Sequence, residues 1–463
     1  MASSNRPAEP TQSATQFLAK EFASTRFEDI PVASLAAVRR LIIDHVGITY
    51  MGAAFTGQAI LAYAKELGGR EEAVLLGDGA KLPAELAAGV NAQLCRNTDF
   101  EETGPGTHVG PLIVHTALAV GQRVGASGRD VLAAATLGYM LAARFHFARL
   151  NDWPRTSIVH HKTFAAAIAG RLMGFDAAAM ARAISLAWEI PPRIHIGGGA
   201  AFSEKRIDPL ALSSGLGAPL FGARNGIQAA AMIGHGFESV PDEIDQYLDE
   251  YDAEVLMGMP APFARVEGEM ELKPWICSRH SQCGMQGVDN LVKAHSIDAQ
   301  SVSGIRLGLS NMYQKPWLND PSPQNYWEAI YSTQWATAMI LQQIPAGPQW
   351  VTPDRLGDPL SRRLAAMIEI TEDPEASRAY WELDWLAIRG TAEIDIGGET
   401  HRTTCTMRET YGSPGMDMPE DMVTEKFRET AAGTLSTEQA DRLLAALRDL
   451  ESIADIRDLA GLF

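Results

Sequence analysis

Apolar residues recur at three- and four-residue spacing along the first part of the chain, from Thr15 to about Met173. This periodicity predicts a series of helices. Several segments, such as PVASLAAVRRLIIDHVGITYMGA and SGRDVLAAATLGYMLAARFHFARL, are apolar around most of their circumference, which is typical of helices in the centre of a large bundle. Ser127 and Asp130 fit an N-cap and an acidic first-turn residue of one of them.

The pattern changes between about Ala264 and Met407. Short runs there, including GIRLGLSN and AAMIEITED, predict strands, and helical stretches such as WEAIYSTQWATAMILQQ lie between them. TAEIDIGG and ETHRTTCTM, separated at Gly397-Gly398, predict a hairpin. From Pro419 the helical periodicity returns.

These changes predict a mainly α fold: a large all-α helical domain with an inserted smaller α+β lid domain. The predicted segments are a helical domain over 1–265, a lid over 266–411, and C-terminal helices over 412–463 that return to the helical domain. A cleft between two such domains is a usual place for a small-molecule site.

The charge of the chain limits its partners. Its 463 residues contain 39 Lys and Arg against 57 Asp and Glu, for a net charge of −18. A protein this acidic, without a basic stretch, is predicted to bind neither nucleic acid nor an anionic membrane. No apolar run reaches the roughly 18 residues that span a bilayer. Because the N-terminus also lacks the apolar core of a signal peptide, we expect a cytoplasmic protein.

The cysteines do not predict a disulfide scaffold or a metal centre. There are four in the whole chain, too few for a disulfide-rich fold. Cys277 and Cys283 lie six residues apart with His280 between them, but no CxxC pair or second cluster accompanies them. We therefore expect reduced thiols and no metal.

The densest group of candidate chemical residues is the segment NTDFEETGPGTHVGP, at 97–111. It follows one predicted helix and precedes another, and it holds Asp99, Thr103 and His108 together with two glutamates. A Gly-rich connection between buried helices is well placed to present side chains to a cleft, and a histidine can transfer protons near neutral pH. The alternative is a loop whose carboxylates only cap helices.

Four stretches resemble the MmgE/PrpD family: VRRLIIDHVGITYMG, the long segment from NAQLCRNTDFEETGPGTH to VLAAATLGY, LKPWICSRHSQCGMQGVDNL, and MVTEKFRETAAG. The resemblance spans nearly the whole chain. It implies a helical domain with a smaller lid domain, a homodimer, and small di- or tricarboxylate substrates. It also implies that the protein uses neither a cofactor nor a metal.

The resemblance places Asp99, Thr103 and His108 on the acidic-loop positions of the family, and Lys273 and Arg279 on its lid motif. The chain also departs from the family pattern. Decarboxylase-like members carry a His-Pro pair where this chain reads WPRTSIVHHKTFAAAIAG, and Lys162 there resembles the lysine of dehydratase-like members. A family lysine is missing from 215–231. The predicted catalytic residues are Asp99, His108, His160, His161 and Lys273, and the predicted substrate-binding residues are Thr103, Lys162, Lys205, Arg279, His280 and Gln282.

The resemblance therefore predicts a cofactor-independent lyase of the hydro-lyase type. Proton abstraction next to a carboxylate produces an enolate-like dianion, which cations such as Lys273 and Arg279 can stabilise. The alternatives are an epimerase or isomerase of an amino- or imino-dicarboxylate, a decarboxylase of an unsaturated tricarboxylate, and a non-catalytic homologue or scaffold. The sign of the His108 pKa shift stays open, because nearby carboxylates would raise the pKa and Lys273 would lower it.

Overall fold

The computed structural model describes residues 13–104, 108–149, 161–190, 218–248, 251–259, 262–382 and 385–463. Within these ranges the chain is mainly helical, as the periodicity predicted. Two candidate site residues, His160 and Lys205, lie outside the described residues. Among the described helices, none combines the length and apolar character needed to cross a membrane.

The long apolar segments of the N-terminal half form helices. They are α1 (Ala14–Ser24), α2 (Val32–Thr56), α3 (Gln58–Leu67), α4 (Ala84–Arg96), α5 (Gly110–Val124), α6 (Gly128–Phe147), α7 (His161–Leu172), α8 (Ala177–Glu189), α9 (Ala218–Gly234), α10 (Ala253–Gly258) and α11 (Pro262–Glu269). Residues 41–53 of α2 are all buried, which explains why apolar residues cover most of the circumference of that helix. The predicted cap of α6 is confirmed, since Ser127 accepts from the Asp130 backbone N–H and the Asp130 carboxylate reaches back to Ser127.

The C-terminal half combines shorter helices with a sheet. Its helices are α12 (Arg279–His295), α13 (Tyr326–Ala329), α14 (Thr333–Leu341), α15 (Pro353–Leu356), α16 (Pro359–Met367), α17 (Pro374–Trp381), α18 (Glu420–Ala431) and α19 (Thr437–Arg448). The sequence predicted α13 and α14 as one helix. They are separated because the Ser332 side chain accepts from the Trp335 backbone N–H and starts α14 anew.

A four-stranded sheet forms the β part of this half. The strands of the fold are β1 (Ala73–Val74), β2 (Lys81–Leu82), β3 (Val302–Leu309), β4 (Ile368–Glu372), β5 (Arg389–Ile396) and β6 (Glu399–Thr406). The sheet has the order β4-β3-β5-β6, in which β3 is parallel to β4 and antiparallel to β5. The predicted hairpin is confirmed, because β5 and β6 turn through Gly397 and Gly398 at φ 60° and 86°. The sequence missed the short β1–β2 pair.

Two large apolar clusters divide the described core. One joins the N-terminal helices to buried residues between Met418 and Leu459, and the other holds most of the buried apolar residues between Trp275 and Ile394. At the contact of α18 with α2, a Cβ on Gly47 would lie 2.9 Å from Thr430 Oγ1. The C-terminal helices thus pack against the N-terminal ones. The domain boundaries at 265/266 and 411/412 stay predictions.

Candidate active site

The acidic motif lies in the connection between α4 and α5, over residues 97–109. Asp99 and His108, near its two ends, have φ angles of 48° and 52°. Left-handed backbone at a residue other than glycine costs on the order of 1–3 kcal/mol and is concentrated at functional sites. Two of the predicted catalytic residues therefore occupy strained positions that the surrounding fold maintains.

Glu101 lies at the centre of a buried group of charges. Its Oε1 atom is 2.6 Å from His108 Nδ1 and 3.0 Å from Arg96 Nη1. The same Arg96 atom is 3.1 Å from Asp99 Oδ1. The Glu101 side chain is 0% exposed, whereas 23% of the His108 side chain is accessible. Glu101 therefore orients the His108 ring while part of the ring stays open to solvent.

Burial and neighbouring charges determine the protonation of this group. Burial and the Arg96 charge lower the pKa of His108 below its usual value, although Glu101 acts in the opposite direction. Burial alone would raise the pKa of Glu101, but Arg96 and His108 hold it well below its usual range. An ionised Glu101 only accepts, so Nδ1 of His108 carries a proton. The lone pair of the neutral ring is then on Nε2, which is suited to take up a proton.

Lys273 approaches the same loop from the other half of the chain. It is buried, and its Nζ donates to the Asp99 carbonyl oxygen at 2.8 Å and lies 3.6 Å from Asp99 Oδ2. Lys426 of α18 donates to the Lys273 carbonyl at 2.8 Å and pairs with Asp44 of α2 at 2.6 Å. It also donates to the Phe100 carbonyl at 3.3 Å. Lys273 is therefore held in place by buried contacts with the acidic loop and with Lys426 of α18.

Thr103 and Arg279 meet at Glu271. Thr103 and Glu271 exchange backbone hydrogen bonds of 3.3 and 3.2 Å. Arg279 Nη2 lies 3.0 Å from Glu271 Oε2 and donates to the Thr103 carbonyl at 3.4 Å. Burial raises the pKa of Glu271 despite the opposing Arg279 charge. The five residues that matched the family motifs, in the acidic loop and the lid motif, are thus brought to one region of the structure.

The two other candidates of the lid motif lie on α12 and differ in role. The His280 ring is partly buried and packs edge-on against Tyr380, with ring centroids 4.9 Å apart. Burial and the charges of Arg279 and Lys273 lower the pKa of His280 to about 3, so this ring is neutral near the site. Gln282 is fully buried and donates to the carbonyls of Trp275 and Cys277 at 3.1 and 3.2 Å. Its amide nitrogen therefore supports the segment after Lys273.

Lys162 and His161 are both buried at the start of α7. The Lys162 ammonium donates to the Trp188 carbonyl at 2.8 Å and to the Ile190 carbonyl. These are carbonyls at the C-terminal end of α8, where a cation is favourable. The His161 side chain lies against α9, since a Cβ on Gly222 would come within 2.7 Å of it. The Lys162 ammonium thus binds the end of α8 and the His161 Cβ packs beside α9, while the predicted functional roles of both residues stay predictions.

Three ligand atoms within the described residues could surround a metal ion. One atom each from Asp99, Glu101 and His108 lies within 4.8 Å of the others. Arg96 already contacts both carboxylates there, and Lys273 adds a second cation. The positive charge that a metal would bring is therefore supplied by side chains. The absence of a metal stays a prediction.

Cys277, His280 and Cys283 do not form a cluster of metal ligands among the described residues. Cys277 Sγ donates to the Tyr331 carbonyl at 3.5 Å. Cys283 lies in an apolar cluster with Met312 and other buried residues. Burial raises the pKa of the Cys277 thiol to about 11 and that of Cys283 to about 12, so both thiols stay protonated. All four cysteines are free.

Several site residues were missed by the sequence reasoning. Arg96 directly precedes the acidic motif, and its place at the end of a helix leading into that motif was an available signal. Asp44 and His45 stand in the middle of an apolar helix, where ionisable side chains are uncommon unless paired. Lys426 gave no comparable signal, because its partner Asp44 is distant in the sequence, and the bridge between Glu271 and Thr103 likewise joins distant positions.

Comparison with known proteins is consistent with this arrangement. The MmgE/PrpD N-terminal domain matches residues 16–247 and the MmgE/PrpD C-terminal domain matches residues 275–452. The chain belongs to the MmgE/PrpD family, which confirms the predicted resemblance. It is similar to the cis-aconitate decarboxylase of Homo sapiens, with 24% identity over 452 residues that cover 92% of this chain and 89% of that protein. The family and this relative indicate an enzyme of the dehydratase or decarboxylase type.

Proposed function

We propose that this protein is a lyase of the hydro-lyase type that acts on a small di- or tricarboxylate without a cofactor. The observation that carries the proposal is the His108–Glu101 pair, with Nδ1 and Oε1 2.6 Å apart. It leaves a neutral imidazole in a strained loop, beside the cations Arg96 and Lys273. Such an arrangement suits removal of a proton from a carbon next to a carboxylate.

In this mechanism Nε2 of His108 takes the proton from the carbon next to a substrate carboxylate. The electron pair of the broken C–H bond moves into the carboxylate, where Lys273 and Arg279 stabilise the developing charge. In a dehydration the neighbouring carbon then loses its hydroxyl group, which leaves as water once it has received a proton. We assign this proton transfer to His108, which is protonated after the first step, and the electron pair returns from the carboxylate to form the carbon–carbon double bond. Thr103 positions a carboxylate of the substrate.

Decarboxylation is the second candidate, and the human relative is the observation that favours it. There the substrate loses carbon dioxide and a carbon atom receives the proton, which requires an acid in the first protonation step. The lowered pKa of His108 fits a base better than an acid. The chain also reads Trp-Pro-Arg at 153–155 rather than His-Pro near that place, which supports the hydro-lyase proposal.

The experiment is incubation of the protein in deuterated water with a panel of C4–C7 di- and tricarboxylates, including citrate and cis-aconitate, followed by NMR. Loss or gain of water on one member supports the hydro-lyase. Release of carbon dioxide would instead assign the decarboxylase, and deuterium incorporation with inversion would assign an epimerase. No exchange with any member would favour a non-catalytic homologue.

The resemblance also supports a homodimer, and we propose that the protein acts as one in the cytoplasm. The buried, unpaired state of all four cysteines fits a reducing compartment. Light scattering at micromolar concentration tests the dimer. A monomeric mass would contradict it.

A further inference from the structure

A second pair of ionisable side chains lies behind the acidic loop, outside the chemistry proposed above. His45 of α2 and Glu102 of the loop are both 0% exposed, with His45 Nε2 2.6 Å from Glu102 Oε2. The other ring nitrogen, Nδ1, lies 2.6 Å from the Leu41 carbonyl oxygen. Glu102 Oε1 accepts from the backbone N–H of Gly110, the first residue of α5, at 2.9 Å.

This geometry requires a proton on His45 Nδ1 and a second proton between His45 Nε2 and Glu102 Oε2. The Leu41 carbonyl can only accept, so Nδ1 carries one proton. If Nε2 and the Glu102 carboxylate both lacked a proton, a nitrogen lone pair would face a carboxylate oxygen at 2.6 Å, which is repulsive. An imidazolium beside a carboxylate removes that repulsion.

The groups around the ring are consistent with this charge. Asp44, next to His45 in α2, and Glu102 both favour the charged ring, and together they raise its pKa although burial opposes them. His115 of α5 faces the same region, and burial with the His45 charge keeps its pKa well below the usual value. His115 is therefore neutral, with its Nε2 2.9 Å from the Thr49 hydroxyl.

The position of Glu102 in the chain connects this pair to the candidate active site. Glu101, the preceding residue, contacts His108, and Thr103, the following residue, is bridged to Glu271. We propose that His45 and Glu102 form a buried charged pair that positions the acidic loop, and through Glu101 sets the orientation of His108. This inference rests on the proposed function only for its first test, which measures turnover. His45 and Glu102 are positioning residues, since neither touches His108.

Gly110 offers a test that leaves both partners of the pair intact. A Cβ at Gly110 would lie 2.2 and 2.3 Å from the two Glu102 carboxylate oxygens. Gly110→Ala therefore forces the carboxylate to move, while alanine itself suits a helix. The matched control is Gly258→Ala, because Gly258 is also helical and a Cβ there meets nothing within 4 Å. Glu102→Gln is a second variant, which keeps an acceptor for the Gly110 N–H but removes the charge.

The first readout is turnover on the substrate found by the carboxylate panel. We expect Gly110→Ala and Glu102→Gln to lower kcat by about 10- to 100-fold, as displacement of a catalytic group by about 1 Å does. KM should change less than threefold, and Gly258→Ala should match the unmodified protein. Unchanged kcat in both folded variants would contradict the proposal, and a Gly110→Ala protein that fails to fold leaves Glu102→Gln to decide.

The second readout needs no substrate. In protein labelled with ¹⁵N-histidine, we expect both nitrogens of His45 to be protonated at pH 7. His108 should carry its proton on Nδ1, and this tautomer should be lost in Gly110→Ala but kept in Gly258→Ala. An unprotonated His45 nitrogen, or an unchanged His108 tautomer, would overturn the proposal. Absence of turnover in the unmodified protein would contradict only the proposed function.

Discussion

Replacement of His108 by asparagine separates the chemical role of this ring from its structural one. The Asn amide nitrogen can take the place of Nδ1 and donate to Glu101, which now lies 2.6 Å from that atom. Asparagine also tolerates the φ of 52° better than most residues. His108→Asn therefore preserves the two structural features of the position and removes only Nε2, the atom proposed to take the proton.

The expected loss of kcat is about 10²- to 10⁴-fold, the usual contribution of a positioned base. This corresponds to about 3–5 kcal/mol of transition-state stabilisation at about 1.4 kcal/mol per tenfold change. The free energy of unfolding should change by less than about 1 kcal/mol, because Glu101 keeps Arg96 at 3.0 Å and gains the Asn donor. Melting temperatures should then agree within about 2–4 °C.

The assay is turnover on the substrate identified by the panel, together with deuterium exchange at the carbon that loses its proton. His108→Ala is the comparison, since alanine offers Glu101 no donor and is strained at positive φ by about 1–2 kcal/mol. It should lose activity to the same extent and also melt earlier. If His108→Asn retained kcat within fivefold of the unmodified protein, the proposed base would have to be another group.

Three further predictions concern pH and buried charge. The value of kcat/KM should rise with pH and level off above an inflection below 6.5, because the pKa of His108 is lowered and the neutral ring is the active form; a pH–rate profile checks this. Burial lowers the pKa of His146 to about 4 and that of His280 to about 3. Because the unfolded chain therefore binds more protons below pH 6.5, the free energy of unfolding measured by urea denaturation should decrease as the pH falls from 6.5 towards 3. Lys426→Met should destabilise the protein by about 3–5 kcal/mol, because it leaves Asp44 unpaired. In thermal unfolding, the double variant Lys426→Met with Asp44→Asn should regain most of that loss. Equal instability of the single and double variants would argue against the pair.

The sequence predicted those parts of the fold that local patterns determine. Hydrophobic periodicity located helices such as α6, and a pair of glycines located the β5–β6 turn, because both signals act over a few residues. The break between α13 and α14 was missed, since a single serine cap decides it.

The site was predictable only where a motif carried it. The acidic loop and the lid motif identified His108 and Lys273. In the structure Lys273 contacts the loop that contains His108. The sign of the His108 pKa shift was not predictable, because it depends on burial and on Arg96, whereas the sequence offered only neighbouring charges. Lys162 resembled a family lysine, yet only the folded chain shows its ammonium at the end of α8.

The contact between Lys426 and Phe100 has a consequence for the timing of synthesis. The two residues are 326 positions apart. At a ribosomal rate of about 5–20 residues per second, Lys426 is added roughly 15–65 s after Phe100. Until Lys426 is added, Asp44 lacks its cation, and the carbonyls of Phe100 and, once it is synthesised, Lys273 lack a donor that the finished protein provides. A nascent or prematurely terminated chain therefore cannot close this network, so translation must pass α18 before the enzyme is complete.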